Sequence, residues 1–165
     1  MWTILKFENK SIETLKKEFT KVLGKDYIIY MPKIFVQKYK NNKIIKKEIN
    51  LLGDYLFCFH EKLSDKKIIN TLQYSKGLKY ILNGFLNSQV EIKDFIERCK
   101  KAETNKGYLS QDFFEININS ECEFISGPFS NMIFKIIEMQ KNKIKILIGD
   151  LKTTINKKEF LFKPI

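Results

Sequence analysis

The sequence predicts an α+β domain, an antiparallel sheet flanked by helices, followed by a small all-β barrel. Three observations predict it. Strand-like and helix-like segments interleave over the first ~100 residues, which is the pattern of an α+β layer structure. The stretch Ala102–Asp112, AETNKGYLSQD, is polar and has no apolar period, as a linker would. After it come only short strand-like segments, enough for a barrel of about 50 residues. These bounds give a first domain at 1–102, a flexible linker at 103–112 and the barrel at 113–165.

Each element has its own reason. Trp2–Phe7, WTILKF, is rich in β-favouring residues and reads as a strand. The next segment, SIETLKKEFTKVLG, reads as a helix. Ser11 is placed to cap it, Ile12, Leu15, Phe19 and Val22 share one face, and Gly24 can close it. Pro32 interrupts an edge-type strand, and a hairpin is expected to turn at Asn41-Asn42. Asp54–His60 is nearly all apolar, as a central strand buried on both faces would be. A second helix is expected from Ser64, with Ile68, Ile69 and Leu72 inward and Gly77 as its stop. Leu78–Leu82 follows as a short strand. In VEIKDFIERCKK, Ile92, Phe95, Ile96 and Cys99 recur at i, i+3, i+4 and i+7, which marks a third helix.

Beyond the linker, CEFIS, MIFKIIEM, KIKILIG, KTTI and EFLF are the barrel's candidate strands. Ile133, Ile136, Ile137, Ile144, Ile146 and Ile148 are β-branched, which weighs against helix in this region. Lys143-Ile144-Lys145-Ile146 alternates at the strand period.

Composition narrows the function. With 44% hydrophobic residues, 14 Phe and 7 Tyr among 165 residues, the chain can build a core. No apolar run approaches the ~20 residues that span a bilayer, and Met1–Phe7 has the wrong shape for a signal peptide. The expected location is the cytoplasm, with no membrane partner. Cys58, Cys99 and Cys122 fit no zinc or disulfide spacing and read as small buried hydrophobes. His60 is the single histidine and reads as a strand-end surface residue. No metal or cofactor is expected, and one histidine without a phosphate loop or carboxylate pair points away from an enzyme. A net charge of +11 suits a polyanionic partner. Equally, Arg98 is the only arginine amid abundant Lys, Ile and Asn, the pattern of A+T-rich coding. Lysines 38, 40, 43, 46 and 47 crowd one short stretch.

Two segments carry a resemblance. Phe124-Ile125-Ser126-Gly127-Pro128-Phe129 precedes an Ile-rich strand–turn–strand pair, and Leu51-Leu52-Gly53-Asp54-Tyr55-Leu56-Phe57 sits in the first domain. With the order of elements, these make the chain resemble the NusG/RfaH family of transcription factors over its full length. The front half resembles that family's NGN domain and the tail its KOW domain, an SH3-like barrel. Lys76-Gly77-Leu78 resembles the basic-Gly-apolar turn of RfaH-like paralogues. The chain departs from the family pattern at Gly53-Asp54 and around Met132–Lys135.

The resemblance implies a transcription elongation or antitermination factor, without catalysis, that grips the clamp helices of RNA polymerase and suppresses pausing or termination. The residues it implies for that grip are Trp2, Leu52, Tyr55, Phe57 and Ile81, each of which reads equally as core. Lys76 is implied to face the non-template DNA strand, with Lys40 and Lys43 as further nucleic-acid candidates. The Gly127-Pro128-Phe129 turn marks the barrel expected to recruit a ribosomal protein or termination factor. The chain is expected as a monomer. An RNA-binding or ribosome-associated protein with no polymerase contact is the alternative.

Overall fold

The computed structural model describes residues 1–8, 10–40 and 43–165, without the side chains of 38–40. It is a mixed structure of three helices and antiparallel sheets. The chain divides into two compact units. One takes Met1–Pro32 and Asn50–Arg98, the other Lys33–Ile49 and Cys99–Ile165.

The first unit is a four-stranded sheet. Its strands are β1 (Trp2–Phe7), β2 (Ile28–Tyr30), β5 (Tyr55–Phe59) and β6 (Leu78–Ile81), in the order β2-β5-β1-β6. The two intervening strands, β3 (Lys33–Lys40) and β4 (Lys43–Asn50), belong to the second unit. β5 is central, as its near-continuous apolar run implies, and Leu56 and Cys58 are fully buried.

Period-two alternation splits β1 between two faces: Thr3, Leu5 and Phe7 are buried, and Trp2, Ile4 and Lys6 are half-buried. Helices α1 (Ile12–Leu23) and α2 (Lys66–Leu72) supply Leu15, Phe19, Leu23 and Leu72 to the core that holds Leu5, Phe7, Leu56 and Cys58. Helix α3 (Gln89–Lys101) supplies Ile92 and Ile96 to a second cluster, with Phe57, Trp2 and Ile4.

Three local expectations are corrected here. Ser11 makes no side-chain cap for α1; its hydroxyl goes to the Glu8 carboxylate at 3.2 Å. α2 begins after Asp65 rather than Ser64, because the Asp65 carboxylate accepts from the Lys67 amide at 2.8 Å while Ser64 closes a short 3₁₀ turn. His60 is buried, not a surface residue. Its Nδ1 accepts the Lys62 amide at 3.1 Å and so caps that same turn.

The second unit pairs a two-stranded ribbon with a five-stranded sheet. The ribbon is β3 (Lys33–Lys40) and β4 (Lys43–Asn50); the expected Asn41-Asn42 turn lies outside the described residues. The sheet runs β10 (Leu151–Asn156), β9 (Lys143–Ile148), β8 (Ile133–Met139), β7 (Glu121–Phe124), β11 (Phe162–Pro164). Its pairings are antiparallel. All five strands feed one core of Cys122, Phe124, Phe134, Ile136, Ile144, Ile146, Ile155 and Phe162. Each fully buried isoleucine here contributes ~1.5–3 kcal/mol.

The ribbon belongs to the second unit although it interrupts the first unit's sequence, which differs from the expected consecutive division. Its contacts explain this. The Leu109 amide donates to Lys33 O at 2.8 Å, and the Gly127 amide to Gln37 O at 2.7 Å. The polar segment expected as a linker is folded: Thr104 and Gly107 make a tight turn, and Leu109 is buried. Its polarity reflects an exposed turn around one buried anchor.

Candidate functional site

The alternation that builds the core also builds a groove. Antiparallel register sets Trp2 opposite Phe59, Ile4 opposite Phe57 and Lys6 opposite Tyr55, so these six share one face of the sheet. On β6, Tyr80 stands opposite Lys6 on that face. α3 covers only part of it.

Between the sheet and α3 lies an apolar groove of about 440 Å³, lined by Ile4, Leu52, Tyr55, Phe57, Leu82 and Phe95, with Ser88 and Glu91 beside Ile92. Phe57 forms its floor, with its ring 5.7 Å from that of Phe95. Leu52 is held by the loop before β5, where the Asn50 side chain donates to Gly53 O at 2.6 Å and Tyr55 O at 2.9 Å. Gly53 adopts φ +61° there.

One side chain ties the helical wall to the sheet wall. Gln89 Oε1 accepts the Trp2 amide at 3.0 Å, and Nε2 donates to Trp2 O and to Phe85 O, both at 2.7 Å. The amide thereby mimics one residue of a paired strand where β6 no longer reaches β1.

Next to the groove stands a polar aromatic group. The Tyr55 and Tyr80 hydroxyls hydrogen-bond at 2.8 Å, and Lys6 Nζ lies 5.0 Å from the Tyr55 ring centre and 5.7 Å from that of Tyr80. The Tyr55 hydroxyl raises the Lys6 ammonium above its ordinary value. The hydrogen bond with Tyr80 lowers Tyr55, and the same bond raises Tyr80.

Of the expected grip residues, Leu52, Tyr55 and Phe57 are brought together in the groove. Trp2 is on the same face but packs on Phe59, with ring centres 5.3 Å apart, outside the groove lining. Ile81 is not brought there: it pairs with Leu5 and is buried in the core under α1 and α2. Its neighbour Leu82, exposed, takes that place. Period-two counting from Leu5 carries the signal that separates Ile81 from Tyr80. Gln89 has no such signal, because an amide that pairs with backbone looks in sequence like any helix-start residue.

Lys76 is exposed at the tip of the turn before β6. Gly77 behind it has φ +87° and packs directly on Ser11, where a Cβ would come within 2.9 Å of the Ser11 Cβ. Tyr74, two residues before Lys76, is 87% exposed. Lys43 is exposed on the ribbon, and the Lys40 side chain lies outside the described residues. In the second unit Gly127 has φ +91° and leaves room for the Phe160 ring, which a Cβ would meet at 2.9 Å. Pro128 and Phe129 are exposed, Phe129 with its ring 5.7 Å from Phe124.

All three cysteines are buried, and burial pushes the Cys58 thiol up to about 12. No cluster of three or more potential metal ligands occurs among the described residues. Among them, no helix is long and apolar enough to cross a membrane.

No family model matches the chain. A tRNA uridine(34) hydroxylase of Wigglesworthia glossinidia brevipalpis is 24% identical over 151 residues, covering 88% of this chain and 47% of that protein. The chain thus spans about half the length of the curated relative it matches. Among solved structures, a chain of the MjSpt4:Spt5 complex aligns with TM-score 0.35 and 13% identity, covering 100% of this chain and 97% of its own. Thermotoga maritima NusG aligns with TM-score 0.34 and 12% identity, covering 99% and 96%. Both TM-scores lie below the level from which a shared fold follows.

Proposed function

We propose that the chain is a transcription elongation or antitermination factor of the NusG/RfaH kind, acting in the cytoplasm as a monomer and catalysing no reaction. The observation that carries this reading is the groove: an apolar cleft on a sheet face, open to solvent, containing three of the five residues that the family resemblance implies. Such a cleft suits a helical tip whose apolar side chains displace its water, with buried aromatics dominating the affinity. In this reading the tip belongs to the clamp helices of RNA polymerase. Lys76 meets the displaced non-template strand, and the second unit, a KOW-like barrel, recruits a ribosomal protein or termination factor at Gly127–Phe129.

Purified polymerase tests it, by pause lifetimes and by direct binding. Tyr55→Ala and Leu52→Asp should each cost ~2–4 kcal/mol of binding, roughly 30- to 1,000-fold, with melting preserved. Variants that bind as the native chain does and only melt earlier would make these residues core alone. Lys76→Ala should lower the salt dependence of recruitment by about one phosphate contact. Co-sedimentation with ribosomal subunits in place of polymerase would favour the RNA-binding alternative. A second reading rests on the 24% identity to the tRNA hydroxylase. It is checked by incubating the chain with tRNA and looking for modified uridine.

A further inference from the structure

The second unit holds a cavity that the proposed polymerase contact leaves unused. It measures about 500 Å³, within the range that accommodates small ligands. Two aromatic rings line it, Phe35 from the ribbon and Phe160 from the turn before β11. Each is held from behind: Phe35 by Tyr108, with ring centres 5.3 Å apart, and Phe160 by Phe124 and Phe129, at 5.7 and 6.0 Å.

Lys141, Lys157 and Lys158 reach the same cavity from two separate turns. Those turns are stitched together by the Lys157 amide, which donates to Asn142 O at 3.0 Å. None of the three lysines is ion-paired among the described residues, although Asp112 and Glu159 also line the cavity. Gln37 and Asn142 line it too, and their side-chain amides make no hydrogen bond among the described residues.

We infer that this cavity binds the nucleoside phosphate unit of a single-stranded nucleic acid. The chemistry of the lining divides accordingly. A flat base stacks against Phe35 or Phe160, which is sequence-tolerant because every base has a π-face. The two unpaired amides can each offer a donor and an acceptor to a base edge. The lysines supply the phosphate charge, displacing counterions. An apolar ligand would make no use of the three ammonium groups and two amides; a simple inorganic anion would leave the rings unused. A nucleotide satisfies both sets. The inference is independent of the polymerase reading, since each of these residues lies in the second unit.

The test is fluorescence anisotropy on the full chain with a labelled six-nucleotide RNA, the same sequence as DNA, and unlabelled AMP as competitor. Two variants separate the contributions. Lys141→Ala/Lys157→Ala/Lys158→Ala should weaken oligonucleotide binding at least tenfold and flatten its salt slope by two to three contacts. Phe35→Leu keeps apolar volume but removes the stacking face; it should weaken binding about tenfold and leave the salt slope unchanged. Competition by AMP at a comparable concentration supports the site and names a free nucleotide as its ligand. Competition by oligonucleotide alone supports it and names a strand. Absence of binding overturns the inference. So does a lysine variant that weakens binding while Phe35→Leu, folded by circular dichroism, binds as the native chain does, because that result describes a diffuse basic surface.

Discussion

Replacing Gln89 should loosen the first unit far more than its half-exposed position at the start of α3 suggests. Gln89→Leu removes three hydrogen bonds at 2.7 to 3.0 Å and strands the Trp2 amide, the Trp2 carbonyl and the Phe85 carbonyl. A fully buried orphaned group costs ~1–3 kcal/mol. These are partly buried, so about 1 kcal/mol each is the fair figure, or about 2–3 kcal/mol in all. That is a large share of the ~5–15 kcal/mol that holds a domain together. Gln89→Glu is the sharper version. Near neutral pH its carboxylate still accepts the Trp2 amide but faces two carbonyls it cannot donate to. Protonation restores the donor, so the folded state favours the acid form and the folded pKa rises above the ordinary glutamate value. This variant should therefore regain stability relative to the native chain as pH falls through that raised value. Trp2 is the only tryptophan and is itself the bonded residue, so its fluorescence in urea titrations reports on the site. A Gln89→Leu loss under about 0.5 kcal/mol, or a Gln89→Glu deficit that ignores pH, would refute the reasoning.

Other outcomes follow from single sites. Thr3 is fully buried and its hydroxyl has no partner among the described residues, so Thr3→Val should stabilise the chain by about 1 kcal/mol in urea unfolding. Gly77→Ala must accept φ +87° and a 2.9 Å approach to Ser11, and should cost at least ~1–2 kcal/mol by the same measurement. Hydrogen bonds from Tyr108, then Lys33, hold Glu48 below its ordinary value of 4.5. Its stabilisation is thus present above that value and lost as pH falls through the depressed folded one; a Glu48→Gln variant should lose this acid dependence in melting curves. Cys58 should resist alkylation near neutral pH until the chain unfolds, as timed labelling with iodoacetamide would reveal.

The fold was legible where a single physical rule governs a segment. β-favouring composition located β1, β-branched isoleucines located β8, apolar alternation located β9, and the 3.6-residue spacing located α1 and α3. The helix starts were less legible. Ser11 and Ser64 have the side chains that cap helices, yet Asp65 does the capping at one site and no side chain does at the other. Capping depends on a backbone angle, and a residue type only permits it. The ribbon's allegiance to the second unit was illegible for a different reason: its partners, Leu109 and Gly127, are far along the chain and bond through backbone groups that carry no side-chain signature. In the groove, Leu52, Tyr55 and Phe57 were visible through the family-like segment. Ile81 was misplaced by one residue along β6, which in a strand means the opposite face.

That early ribbon also bears on how the chain is made. A ribosome releases Lys33–Ile49 long before the residues from Cys99 onward that complete its unit. Ile34 and Val36, nearly inaccessible in the finished molecule, must meanwhile wait without their partners for several seconds at roughly 5–20 residues per second. The first unit has to close around this excursion, joining Pro32 to Leu51 through their backbone hydrogen bond at 2.8 Å. Nascent chains stalled before Cys99 would therefore present a sticky two-stranded edge, a natural docking point for a holding chaperone.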